Sequence, residues 1–274
     1  MPDHGCDSVQ VLEVDPELAR ELDPARARVA GQRLRAHALD IARGRWLPDT
    51  DTFAGPRPIA LLVVAGLLLR ETTVDEHPAA ELLGPGDLLR TWEDAEHEEL
   101  LPRTVDWIAL TATRVAVFDA AFVARAAQWP EVLAALLDRA AQRAERLVVL
   151  QAIAHLTRVE DRLLALMWCL AERWGRVLPD GVLISLPLSH RTLAGMIGAR
   201  RPSVTTALGR LIARGALERR AEGEWLLRAN SSEPLAPEDG NSVTPSVLRG
   251  LGGAWKRPAP PPRAPMVGSS NRGS

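Results

Sequence analysis

The chain has 274 residues, 46% of them apolar and 25% charged, and a formal net charge of −2. That composition excludes collagen-like and wholly disordered chains, and the length suits one or two domains with a tail. The charge is uneven. Residues 71–106 hold eleven acids against two arginines and residues 180–228 hold eight arginines against four acids, so a polyanion would sit on the second block.

Lys256 is the single lysine among 33 basic residues, so arginine content alone says little about phosphate binding. Cys6 and Cys169 are the only cysteines; neither a disulfide framework nor a Cys-rich metal cluster is expected. The stretch MPDHGCDSVQVLEVDPE has no basic start and no apolar run, so a secretory signal is not expected. The longest apolar run, Ile59 to Leu69, has 11 residues, short of the roughly 20 that span a bilayer. A soluble cytoplasmic protein without a membrane partner is expected.

Residues 1–35 are polar, with a short helix expected from Pro16 to Arg35. β-Structure follows. Ile59–Val64 and Leu67–Thr72 are apolar runs parted by Ala65-Gly66, which reads as a hairpin. Ala80–Leu83 leads into Gly84-Pro85-Gly86-Asp87, a turn cluster. Trp107–Thr111 and Arg114–Phe118 are two further strands. Short strands at this spacing predict a small antiparallel barrel or sandwich.

From Asp119 the pattern is helical. Pro130 suits a first helical turn, and the helix runs to about Leu156. Leu133, Leu137, Ala140, Ala144, Leu147, Gln151 and Ala154 alternate in steps of four and three, a seam for a partner helix. Packing within the chain is the plainer reading of that seam; a two-fold coiled-coil dimer is the sharper one. Thr157 and Glu160 have the spacing of a capping box that starts a second helix, which stops at Gly175. A short strand, Val182–Leu186, follows.

Residues 188–214 read LSHRTLAGMIGARRPSVTTALGRLIAR. Ser189 suits an N-cap, Gly198 a left-handed stop, and Pro202 the first turn of the next helix. Val204, Leu208, Leu211 and Ile212 are expected inside; Ser203, Thr205, Thr206, Gly209 and Arg210 outside. This is a helix–turn–helix pattern. Arginine can bond guanine, and Ser and Thr hydroxyls can reach bases or phosphates. Arg200 and Arg201 sit where a helix N-terminus attracts phosphate. Leu217–Arg220 and Trp225–Arg228 flank Ala221-Glu222-Gly223-Glu224 as a hairpin wing, with Arg219 and Arg220 expected to hold the DNA backbone.

This order of elements resembles the Crp/Fnr family of bacterial transcription regulators, most specifically in LAGMIGARRPSVTTALGRL. The resemblance implies an α+β fold: an antiparallel β-roll of the cyclic-nucleotide-binding kind, a dimerisation helix and a winged helix. It divides the chain into an N-terminal extension (1–35), a β-roll (36–129), the long helix (130–156), a DNA-binding domain (157–229) and a disordered tail (230–274). It puts Arg201, Pro202, Ser203, Thr205 and Thr206 at positions facing DNA. The family's frequent Glu at position 202 and Arg at position 206 are replaced here by Pro and Thr.

The cyclic-nucleotide cassette of the family, a Gly-Glu-Leu-like turn followed by Arg-Ser/Thr-Ala, is missing. In its place stand Glu93, Asp94, Glu96, Glu98 and Glu99, which would repel a phosphate; Arg103-Thr104-Val105 matches the Arg-Thr-Ala end only faintly. Leu147-Val148 replace the polar pair that contacts adenine. No cofactor is therefore expected, and cAMP least of all. His77 and His97 are haem-ligand candidates with a structural reading favoured. The acidic run could hold a divalent cation, although a solvated loop is favoured. No phosphate loop or nucleophile elbow appears, so an enzyme is not expected. The expected partners are double-stranded DNA and a second copy of the chain, with RNA polymerase a further candidate. The alternatives are a sensor of another small ligand and a dimeric interaction protein that does not bind DNA.

Overall fold

The computed structural model describes residues 8–48, 58–91, 101–220 and 223–228. The acidic run 93–99, the wing residues 221 and 222, and the tail read as disordered lie outside them.

The N-terminal part holds β1 (Ser8–Gln10), α1 (Val11–Val14), a 3-10 turn at Pro16–Ala19 and α2 (Pro24–Arg33). The continuous helix expected from Pro16 to Arg35 is thus divided. Asp23 ends the first piece and caps the second, accepting from the Ala25 and Arg26 N–H groups at 3.0 Å, and Pro24 follows at the first helical position.

The strands are β2 (Arg35–Ile41), β3 (Gly44–Trp46), β4 (Ala60–Ala65), β5 (Leu68–Val74), β6 (His77–Leu83), β7 (Leu88–Leu89), β8 (Thr104–Ala109) and β9 (Thr113–Phe118). They form two antiparallel sheets, ordered β1-β2-β9-β4-β7 and β3-β8-β5-β6. Ile41, Leu61, Val63, Leu68, Leu83, Trp107 and Val115 fill the space between them. The opposite face of the first sheet buries Leu62, Ala116 and Phe118 under Val11, Leu18, Leu34 and the helices that follow. β4 is covered on both faces, which is why its sequence is apolar throughout rather than alternating.

The hairpin expected at Ala65-Gly66 is not one. β4 pairs with β9 and β7, while β5 pairs with β6 and β8. Gly66, at φ +88°, turns the chain from one sheet into the other, and a Cβ there would fall on the Ala112 carbonyl. The tight hairpin instead joins β5 to β6 through Asp75 and Glu76, both at positive φ. That is a primed turn built without the usual glycine.

Helices α3 (Ala120–Ala126), α4 (Pro130–Ala154) and α5 (Val159–Trp174) follow. The capping box expected at Thr157 is absent: Arg158 occupies the N-cap of α5 and no side chain caps it. Then come β10 (Gly175–Leu178), β11 (Gly181–Ile184), α6 (His190–Ile197), α7 (Arg201–Ala213), β12 (Leu217–Arg219) and β13 (Trp225–Arg228). The last four strands make a sheet ordered β10-β11-β13-β12.

On α4, Val132, Leu136 and Ile153 are buried against the rest of the chain. Between them, Arg139, Arg143 and Arg146 continue the same face in steps of three and four. Each meets a carboxylate. Arg139 donates to Asp15 at 3.1 Å, and Arg143 donates from two nitrogens to Glu81 at 2.7 Å each. Arg146 and Arg173 both donate to Asp87, whose side chain is 2% exposed and also accepts from the Gly84 N–H at 2.8 Å. Burial pulls the Arg146 guanidinium below its ordinary pKa, against the attraction of Asp87.

Candidate nucleic-acid interface

Local chemistry sets the first helix of the helix–turn–helix. Ser189 caps α6, its hydroxyl accepting from the Thr192 N–H at 3.0 Å. α6 closes at Gly198 with φ +61° and ψ +44°, and the Ala199 N–H donates back to the Ala194 carbonyl at 3.0 Å. The side chain of Arg162, on α5, donates to the last carbonyls of α6, those of Ile197 and Gly198, at 3.4 and 3.3 Å. A cation placed there complements the helix dipole. Nothing local in the sequence announces this cap, because α5 lies 35 residues away.

α7 begins after Arg200, which is extended and offers no side-chain cap. Its first N–H groups therefore lack a capping acceptor from the N-cap side chain. Arg200 and Arg201 are exposed there and make no ion pair among the described residues. Val204, Ala207, Leu208 and Leu211 are buried. Ile212, expected inside, is exposed; Ala207 holds the inward place because it falls in the 204-207-208-211 repeat. Pro202, Ser203, Thr205, Thr206, Gly209 and Arg210 are exposed.

Several of these side chains already have partners. The Thr205 hydroxyl donates to the Arg201 carbonyl at 3.1 Å and lies 2.9 Å from Nδ1 of His190, at the start of α6. The Thr206 hydroxyl donates to the Pro202 carbonyl at 3.2 Å. Arg210 is turned onto Glu160 of α5 and holds that carboxyl below the usual carboxylate range by its hydrogen bond. In the wing, Arg219 stacks over Trp225 with its guanidinium 4.6 Å from the ring centroid. Arg220 donates to Asp180 at 2.8 Å and pairs with Glu218 at 2.7 Å. Glu224 accepts from Ser185. Among the described wing residues Arg220 is paired and Arg219 is stacked, whereas Arg200 and Arg201 at the start of α7 have no ion pair.

These helices, with the strand pair before them and the hairpin after, have the layout of a winged helix. Residues 157–229 match the family model of the Crp-like helix-turn-helix domain. The chain carries a Crp-like DNA-binding domain. Solved structures share the fold of a larger part. A cyclic nucleotide-binding domain protein from Listeria monocytogenes superposes with a TM-score of 0.56 at 15% identity, over 70% of this chain and 88% of its own. A CooA mutant from Carboxydothermus hydrogenoformans gives 0.54 at 18%, over 70% and 83%. The regulator CLP of Xanthomonas campestris, described as responsive to c-di-GMP, gives 0.52 at 18%, over 70% and 94%. No curated protein matches the sequence significantly. The matched domain makes residues 157–229 a DNA-binding module, and the solved structures add the fold of the part they cover.

The seam residues of α4 are placed along one flank of the helix. Leu133 packs partly against the core, and Ala154 is half-buried. Leu137, Ala140, Ala144, Leu147 and Gln151 are exposed, with Leu137 at 71% and Leu147 at 40%, and Val148 beside them at 65%. Among the described residues no group of three metal-ligating side chains occurs, and no helix is long and apolar enough to cross a membrane. Cys169 is half-buried; desolvation, with Glu172 nearby, pushes its thiol up to about 11, so it is a poor nucleophile.

Proposed function

We propose that the chain binds a palindromic DNA operator as a homodimer, reads it with α7, and does so without cAMP. The observation that carries this reading is the two-sidedness of α7. Its inner face is buried, while its outer face and its uncapped, doubly arginine-flanked start are exposed. Arg201 is the residue for a guanine or an adjacent phosphate. Arg200 and the wing arginines Arg219 and Arg220 serve the backbone, more weakly where they are already paired.

The exposed apolar flank of α4 supports the dimer, since Leu137 and Val148 stand in water on a single chain. Two features support independence from cAMP. Leu88-Leu89-Arg90 follows Asp87 where a nucleotide cassette needs Gly-Glu. The arginines that α4 turns toward the roll, which would be the natural anion ligands, hold Asp15, Glu81 and Asp87. The residues present do not suit a cyclic nucleotide.

The test is footprinting on fragments that the full chain selects from genomic DNA. A two-fold site with half-sites about 34 Å apart is expected, and Arg201→Ala lowers affinity about tenfold or more. An asymmetric half-site, or wild-type affinity in the Arg201→Ala, Thr205→Ala double variant, overturns the reading. Calorimetry with cAMP should show no binding; a micromolar Kd overturns that clause.

A further inference from the structure

The strip 202-205-206-209 on the outward side of α7 is short of hydrogen-bond donors, although Arg201, Ser203 and Arg210 beside it carry them. Pro202 has no N–H, and Gly209 has no side chain. Thr205 and Thr206 are exposed, yet each hydroxyl already gives its proton to a carbonyl one turn back in the helix. Thr205 is held a second time. Its oxygen also lies 2.9 Å from Nδ1 of His190, and both contacts are satisfied together when Nδ1 donates and the hydroxyl gives its proton to Arg201. A hydroxyl bound on both sides does not turn outward to a base edge without breaking both bonds. Neither hydroxyl has a proton left for DNA, although the Thr206 oxygen can still accept, and the γ-methyl groups carry no such commitment. Positions 202, 205, 206 and 209 recur at helical spacing, so Pro202, Thr205 and Thr206 share one exposed face that carries a ring and two methyl groups.

The major groove offers one apolar feature, the 5-methyl of thymine, and a threonine methyl is a recognised partner for it. We infer that α7 reads thymine 5-methyl groups through the γ-methyls of Thr205 and Thr206, with His190 as the positioning residue that fixes Thr205. This rests on the reading of α7 as the DNA reader and refines it: Arg201 supplies the polar contact at the start of the helix, and the strip behind it selects thymines.

The experiment uses the operator duplexes obtained with the full chain. Each thymine of the half-site is replaced in turn by deoxyuridine, which removes only the methyl. At least one position per half-site should weaken binding about fourfold, the burial of one methyl converted at tenfold per 1.4 kcal/mol. Replacement in both half-sites together should weaken it about fifteenfold. Thr205→Val and Thr206→Val keep the methyl and lose the hydroxyl; they should keep the wild-type sensitivity to deoxyuridine. Thr205→Ser keeps the hydroxyl and loses the methyl; it should lose about fourfold and become indifferent to deoxyuridine at its position. His190→Ala should reduce the preference for thymine over deoxyuridine. His190→Asn, whose amide nitrogen replaces Nδ1 as donor, should restore it. A flat deoxyuridine series, a half-site without thymine, or indifference to deoxyuridine in the valine variants overturns the inference while leaving α7 as the reader. If no fragment is selected at all, it is the proposed function that fails.

Discussion

Asp87→Ala would remove a buried acceptor that ties three parts of the chain together. The Asp87 side chain is 2% exposed and holds Arg146 of α4, Arg173 of α5 and the N–H of Gly84. Breaking a buried ion pair by deleting one partner costs about 3–5 kcal/mol, because the other charge is left desolvated. The two guanidiniums are 28% and 21% exposed, so water can reach them, and about 3 kcal/mol is the better figure. Loss of the acceptor for Gly84 adds about 1 kcal/mol. Asp87→Asn keeps an oxygen for Gly84 and should cost about 1 kcal/mol less than Asp87→Ala. At roughly 2–4 °C per kcal/mol for a chain of this size, Asp87→Ala should lower Tm by about 8–16 °C in calorimetry. A double-mutant cycle with Arg146→Met should show strong coupling, since either change alone breaks the same pair. A Tm within about 2 °C of wild type, or additive effects in the cycle, would refute the claim that this network clamps the two helices to the roll.

Glu160→Gln should release Arg210 toward DNA and make the slope of log affinity against log salt more negative by about 0.9, one added phosphate contact; an unchanged slope counts against it. The same pair sets a pH dependence. Glu160 titrates below the usual carboxylate range, so its stabilising contribution is present above the ordinary carboxylate pKa and is lost as pH falls through the depressed value. The difference in stability between wild type and Glu160→Gln should therefore vanish in acid, as followed by urea unfolding. Val148→Glu and Leu147→Glu would each place two like charges in one layer of the α4 seam. Both should yield monomers in sedimentation at micromolar concentration where the wild type is a dimer; a monomeric wild type refutes the seam.

The helix–turn–helix was legible because its signals are local. Ser189, Gly198 and Pro202 each act on backbone within one turn of themselves, and the buried repeat 204-208-211 is a periodicity of adjacent turns. The roll was legible as β-structure but not as two sheets. Strand allotment is decided at Gly66, where the approach of Ala112 and not a turn propensity forces the corner. The Asp75-Glu76 hairpin hid for a related reason: both residues take positive φ without the glycine that usually marks it. The N-terminal segment read as polar because Val11, Leu18 and Leu34 are irregularly spaced, and their burial depends on a sheet formed much later in the chain. Arg139, Arg143 and Arg146 do not stand out among 32 arginines, and the apolar seam one position further round the helix carries the stronger pattern. The Thr157–Glu160 spacing misled because Glu160 finds a stronger partner, a guanidinium, on α7.

How the DNA-binding part meets the roll follows from side-chain size. α6 lies against β6, an edge strand of its sheet. Gly195 faces Ala80, and a Cβ on Gly195 would stand 3.0 Å from that of Ala80. Arg191 donates to Glu71 at 2.8 Å. Gly84 leaves room for the ring of Trp174, which a Cβ would meet at 3.1 Å. Two close approaches and a few ion pairs belong to this junction, and Ala80 and Leu82 of β6 are buried as well, whereas Leu193, Ile197, Val204 and Leu211 bury the core of the module itself. Junctions between such units permit relative motion unless they are large and apolar, and an edge strand covered only by a helix is exposed again when the helix leaves. Gly195→Val should therefore part α6 from β6 without unfolding the module. Hydrogen exchange should speed up at the β6 amides, while those of α7 and β13 keep their protection. Unchanged protection in β6 would show that the helix adjusts in place and that glycine is not what the contact requires; equal loss in α7 would show that the module cannot stand without the roll.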